Sequence, residues 1–206
     1  MHLEIRECPV IITSVSMMNK EDTSKLLLVA ALGSGLQALA ATAMLAHASV
    51  AAGIACTVGD ILILIGILGF RRSGKVAWRW SATGLTLSVL SAILVLWLPT
   101  LIAGPIQNFS GRLNWLADAI AYGLVGWAVV RTSTQRRAVA TAVGCGLRAI
   151  AALYLAGRPS PTELSLGPEH AWEILVVVSA SLLVFFFASR SSTERQDKVG
   201  HEGDFV

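Results

Sequence analysis

Asp60, Arg148 and Gln37 are the residues of this chain whose types and positions could do chemistry. Each stands in a run of roughly 20 apolar or small residues, the length that crosses the hydrocarbon core of a bilayer. A charge at the bilayer centre costs about 2.5–3.5 kcal/mol on insertion scales, so a carboxylate or guanidinium there needs a physical reason. Opposite charges can neutralise each other, and an amide can donate to one partner while accepting from the other. The same groups can instead handle a proton or line the path of a solute. Gln37, Asp60 and Arg148 are therefore the expected intramembrane polar network. Within it, an Asp60–Arg148 ion pair would tie the second apolar segment to the fifth.

A second set lies nearer one membrane face. Asp118 is expected there with Glu173, His170 and His47. Asp118 has no evident cationic partner at its own depth. It could reach Arg112 at the interface, or line a water-filled outer pocket with Glu173 and His47. Neither set spells a reaction. "TVGD" at Thr57–Asp60 lacks the first glycine of the GxGD element of intramembrane aspartyl proteases. No GxSG accompanies a histidine at matching depth, as a serine protease would need. Haem would need paired helical histidines, and a metal would need clustered ligands. No catalytic residue, cofactor or metal ligand is assigned from sequence.

The elements that must position these groups are easy to read. The chain has 206 residues, 54% of them hydrophobic and 14% charged. A soluble domain usually carries about 25% charged residues. The apolar residues form blocks over Leu26–His47, Val50–Phe70, Trp80–Leu98, Leu113–Val130, Ala138–Gly157 and Ala171–Ser189. None has the continuous polar face that a soluble amphipathic helix would show. The fold class expected is all-α: a polytopic membrane protein with six transmembrane helices. Residues 1–25 form a cytoplasmic lead, 26–189 the six-helix domain, and 190–206 a cytoplasmic polar tail.

Basic residues orient the spans. Thirteen of the sixteen Lys and Arg residues fall on one side, before helix 1, between helices 2 and 3, between helices 4 and 5, and after helix 6. Lys and Arg are retained on the cytoplasmic side, so both termini are expected inside. Trp78, Trp80, Trp97, Trp115, Trp127 and Trp172 all fall near span ends, where amphipathic rings favour the interface. A plasma or inner membrane is the expected location. No basic segment interleaved with aromatics suggests nucleic acid.

Depth follows from 1.5 Å per helical residue. Asp60 lies about 15 Å from the outer end of its span, Arg148 about 14 Å, and Gln37 at a similar depth. Asp118 is only about five residues from the outer end of helix 4, hence shallower by about 8 Å. The polar residues sit on stripes of small residues: Gly53, Cys56 and Thr57 beside Asp60, Gly144 and Cys145 beside Arg148, Gly33 and Ser34 beside Gln37. Small residues let helices approach closely in membranes. Cys56 before Asp60 and Cys145 before Arg148 also permit a three-plus-three inverted repeat.

Three functions fit. The first expectation is an accessory or assembly subunit acting through helix packing, with another membrane subunit or a second copy as partner besides the lipid bilayer. The alternative is a small-solute or proton-coupled carrier using Asp60, Arg148, Gln37 and Asp118. The third is an intramembrane lipid-modifying enzyme using the outer set.

Residues 1–16 lack the basic start and apolar core of a signal peptide. Met17 or Met18 would make a natural start directly before helix 1. Residues 1–16 are therefore expected either to be poorly ordered or to lie upstream of the native start. Peptide mass spectrometry checks this, and recovery of peptides upstream of Met17 defeats the alternative start.

Overall fold

The computed structural model describes residues 20–46, 50–68, 75–101, 105–133, 135–157 and 167–202. Side chains are described over 22–46, 50–68, 76–95, 111–133, 135–157 and 170–193. The expected disorder of 1–16 and the candidate His47 lie outside the described residues.

The elements are α1 (Lys20–Ala46), α2 (Val50–Ile67), α3 (Lys75–Leu101), α4 (Pro105–Thr132), α5 (Arg136–Gly157) and α6 (Gly167–Glu202). No strand occurs among the described residues. Among the described residues, five helices, α1, α2, α4, α5 and α6, are long and apolar enough to cross a membrane. The chain is thus a helical protein of membrane character. Side chains of α3 are described only over 76–95, a stretch that includes Arg79, so the sixth expected span, Trp80–Leu98, lies partly outside the described residues; the stretch also carries Ser81, Thr83, Thr86, Ser88 and Ser91. Several of these hydroxyls turn back onto their own helix, as Ser81 does to the Ala77 carbonyl at 3.0 Å and Thr86 to that of Ala82 at 2.8 Å. Such bonds satisfy a hydroxyl without water.

Two helix ends differ from expectation. α4 begins at Pro105 rather than Leu113. Proline suits a first helical position because its fixed φ is already helical and its missing N–H has no partner to lose. α6 runs on to Glu202, through residues read from sequence as a polar tail.

Each helix packs against its neighbours in sequence, and α6 packs against α1 to close a ring. Short connections make consecutive helices antiparallel neighbours. The tightest seams are α1 with α2 and α1 with α6; α2 and α3 approach least closely. Glycine makes the α1–α2 seam. A Cβ on Gly33 would stand 2.7 Å from the Gly59 carbonyl oxygen, and one on Gly66 would stand 2.6 Å from both the Ala30 nitrogen and the Leu26 oxygen. Only bare backbone fits there. At the α1–α6 seam the Ser24 and Ser191 hydroxyls meet at 2.9 Å.

The half of the bundle nearer the α2–α3 connection is a solid apolar core. Leu27, Ile63, Trp78, Val125, Val129, Leu183 and Phe187 are all buried in it. Trp78 lies 6.4 Å from Phe186 and donates its indole N–H to Thr132 Oγ1 at 2.7 Å. Arg190 donates to the Thr132 carbonyl at 2.8 Å, capping the end of α4. The outside of the ring is apolar: Leu32, Leu39, Ile150 and Phe185 are each more than three-fifths exposed.

Trp78 corrects the interfacial reading of the tryptophans. At 2% exposure it is a core residue, while Trp80 and Trp127 point outward.

The glycine seam yields a prediction with two signs. Glycine in a helix ordinarily costs about 1 kcal/mol relative to alanine. Gly146 faces open space, so Gly146→Ala should leave the melting temperature in mild detergent unchanged or raise it. Gly66→Ala drives a methyl into the α1 backbone and should cost about 1–3 kcal/mol, the usual range for overpacking. Equal effects from the two substitutions would sink the close-approach account.

Candidate functional site

α1, α2, α4 and α5 each contribute a polar side chain to the interior of the ring well inside the helix, and α6 adds Trp172 from near its start. The strongest contact is between α5 and α4. Arg148 Nη2 donates to Asp118 Oδ1 at 2.6 Å, and Arg148 Nε to Asp118 Oδ2 at 3.2 Å. This is the fork-to-carboxylate geometry that guanidinium favours, with two nearly parallel charge-assisted bonds. The side chains are only 3% and 8% exposed. Arg148 also stacks on Tyr122, its Cζ 3.3 Å from the ring centroid. Its Cζ lies 5.8 Å from the Trp172 ring on α6. The Trp172 indole N–H points to Asp118 Oδ2 at 3.4 Å.

The expected Asp60–Arg148 ion pair is replaced by this one. α2 makes no close backbone approach to α5 among the described residues, and Gln37 stands between the two charges. Arg148 Nη1 donates to Gln37 Oε1 at 3.3 Å, and Gln37 Nε2 donates to Asp60 Oδ1. The reason Asp118 was read as too shallow is the early start of α4. Counted from Pro105, Asp118 lies well inside its helix, at the level of Arg148. Arg112, the alternative partner, is exposed.

Tyr122 joins the two halves of the network. Its hydroxyl lies 2.7 Å from Asp60 Oδ1 and 2.8 Å from Gln37 Oε1. One hydroxyl carries one hydrogen, so it serves these two acceptors one at a time or shares between them. Tyr122 is four residues after Asp118 and so occupies the same helix face. That spacing was the available sequence signal for its membership.

The structure therefore brings together Gln37, Asp60, Asp118 and Arg148, with Tyr122 and Trp172 added. It sets His170 and Glu173 apart as a pair on α6, Nδ1 to Oε2 at 3.9 Å. Glu173 is buried and His170 is half-buried. Among the described residues no group of three His, Cys, Asp or Glu side chains is placed to hold a metal ion.

Beside the network lies a partly open cavity of about 260 Å³. Every helix gives it wall: Met44 from α1, Cys56 and Asp60 from α2, Ser88 from α3, Trp115 and Asp118 from α4, Arg148 from α5 and Trp172 from α6. It occupies the half of the bundle nearer the α1–α2 turn, opposite the apolar core. Trp115 and Trp172 meet edge to face in its wall, with centroids 4.6 Å apart and planes at 83°. Ser91 donates to Asn114 Oδ1 at 3.0 Å, and Asn114 also borders the space.

The chain matches no protein-family model, no curated protein and no solved structure.

Removing one partner of a buried ion pair typically costs about 3–5 kcal/mol, because the other charge stays behind unpaired. Asp118→Leu should therefore destabilise strongly. Adding Arg148→Met removes the stranded charge and should recover most of the loss. Asp60→Asn keeps a carbonyl oxygen for Gln37 and Tyr122 and should melt near the parent protein. Thermal melts in mild detergent read all three. An Asp60→Asn variant as unstable as Asp118→Leu would show that the pairing has been assigned to the wrong carboxylate.

Proposed function

We propose that the protein is a small-solute carrier and that the central cavity is its solute site. One observation carries this reading: a space of about 260 Å³, walled by all six helices, borders Asp60, Asp118 and Arg148 at mid-bundle. Buried polar groups facing a cavity inside an apolar bundle are the usual mark of a substrate or ion path. The volume is slightly under the about 300–1,000 Å³ of typical ligand pockets, which favours a small solute.

The geometry gives less support to the other two readings. An accessory subunit would present its small-residue faces to a partner. Here Gly33, Gly59, Gly66, Gly84, Gly126 and Gly144 are used within the chain's own helix contacts. A lipid-modifying enzyme would need Asp118 as an available base. Both Asp118 oxygens already accept hydrogen bonds, from Arg148 and Trp172.

The proposed orientation has both termini in the cytoplasm of a plasma or inner membrane, following the basic residues. The cavity then faces outward, and the apolar core closes the inner half. Moving a solute requires that core to part while the outer half closes. The loosely packed α2–α3 seam is the natural place for that movement.

Cys56 is a reporter already in the wall, half-buried, whereas Cys145 is fully buried. In proteoliposomes carrying the Cys8→Ser, Cys145→Ser variant, Cys56 should react with a membrane-impermeant methanethiosulfonate reagent. Labelling should be fast from the outer face and slower, though measurable, from the inner face. Reaction from one face only, under all conditions, would rule out a carrier.

A further inference from the structure

We propose that the solute is a small organic monocation, and that this cation and a proton occupy Asp60 in turn. The proposal rests on the reading of the cavity as the solute site, and it comes from counting charges and hydrogen bonds.

Arg148 is not free to attract an anion. Its guanidinium is held by both oxygens of Asp118 and covered by the Tyr122 ring. Asp118 is satisfied in the same contact. Asp60 has no such ion pair among the described residues. Its Oδ1 accepts from two neutral groups, the Gln37 amide and the Tyr122 hydroxyl. Its Oδ2 accepts no hydrogen bond from the described residues, and Asp60 borders the cavity. Among the described residues that line the cavity, two carboxylates, Asp60 and Asp118, stand against one guanidinium, Arg148, which leaves that lining one positive charge short.

Asp60 is 6% exposed at the middle of an apolar bundle. An ionised carboxylate with only neutral donors is expensive there. Either a proton or a cation in the cavity removes the surplus, and the two exclude each other. When a cation enters, the Asp60 O–H bond breaks, the electron pair stays on the carboxylate, and the proton leaves to water. When the cation departs, a proton returns. The Tyr122 hydroxyl can follow the change, donating to Asp60 when it is ionised and to Gln37 when it is neutral.

Among the described residues, the charged and titratable groups facing Asp60 are few. α2 itself gives Cys56, α4 gives Asp118 and Tyr122, and α5 gives Arg148. α6 gives Glu173, acting on the neighbouring Cys56. α1 gives the neutral amide of Gln37, and α3 lines the cavity with Ser88, Ala92 and Val95. None supplies a second cation.

The walls also suit an organic cation over a hydrated metal ion. Trp115 and Trp172 present indole rings, whose faces attract cations, and Met44 adds a polarisable thioether. The space equals the liquid volume of about eight or nine waters. A compact ammonium with a few carbons fits; a lipid or peptide does not.

Calorimetric titration of the purified full chain in detergent tests this, with choline, its neutral isostere 3,3-dimethylbutan-1-ol, and butyrate as probes. Choline should bind at least tenfold more tightly than the alcohol, and butyrate should not bind. Titrations in two buffers of different ionisation enthalpy should show proton release approaching one per choline as the pH is lowered. Asp60→Asn should weaken choline at least tenfold, and Asp60→Glu should retain binding. Butyrate or the alcohol binding as tightly as choline overturns the cation assignment, as does the absence of binding by every ammonium from tetramethylammonium to phenyltrimethylammonium. Undiminished choline binding by Asp60→Asn overturns the role of Asp60. Heats independent of buffer at every pH overturn the exchange. Cation binding by a protein whose Cys56 reacts from one face only would leave this site standing and remove the carrier reading.

Discussion

The contact between Arg148 and Asp118 sets the terms for everything around it. A guanidinium held at mid-bundle must be neutralised, and a carboxylate in bidentate contact is the arrangement that does so with the most hydrogen bonds. Once Asp118 is committed to that contact, its second oxygen draws the Trp172 indole and its helix brings Tyr122 under the guanidinium. Gln37 then takes the remaining reach of Arg148 and passes a donor to Asp60. Five helices, α1, α2, α4, α5 and α6, are joined by this chain of bonds without backbones needing to touch across the ring. Among the described residues Asp60 is left with hydrogen bonds from neutral groups and no ion pair of its own.

The two halves of the bundle behave differently because their packing differs. In one, bare glycine backbone draws α1 onto α2, and Trp78 with its phenylalanine neighbours fills the centre. In the other, the same six helices leave space, walled by small side chains on α2 and α3 and by two tryptophans. Close packing on one side and a partly open cavity bordered by buried charges on the other is the asymmetry that a carrier has to reverse during its cycle. The proposed function is an inference from that asymmetry and from the polar network at its boundary.

Much of this was legible from the residues. The apolar blocks, the helical class and the singling out of Gln37, Asp60, Asp118 and Arg148 needed only composition, periodicity and the high cost of intramembrane charge. The pairing was not legible. Depth counting placed Asp118 too shallow because the residues before Leu113 read as a loop, whereas the helix starts at Pro105. A shift of eight residues is about 12 Å along a helix, enough to hide a partner. The tryptophans misled for a related reason. Position near a span end does not say which way a ring points, and Trp78, Trp115 and Trp172 point inward while Trp80 points out.

By itself, then, the sequence determined the material: helices of membrane character, and a handful of polar side chains that could not face lipid. Hydrophobicity and charge are properties of residues, so they can be read in one dimension. Which acid meets the arginine, and which acid is left over, depends on where each helix begins and how the ring closes. These are set by glycine contacts and side-chain reach between segments far apart in sequence, 111 residues for Gln37 and Arg148 and 167 for Ser24 and Ser191. Only the tertiary structure could decide them, because a buried charge chooses its partner by distance in space.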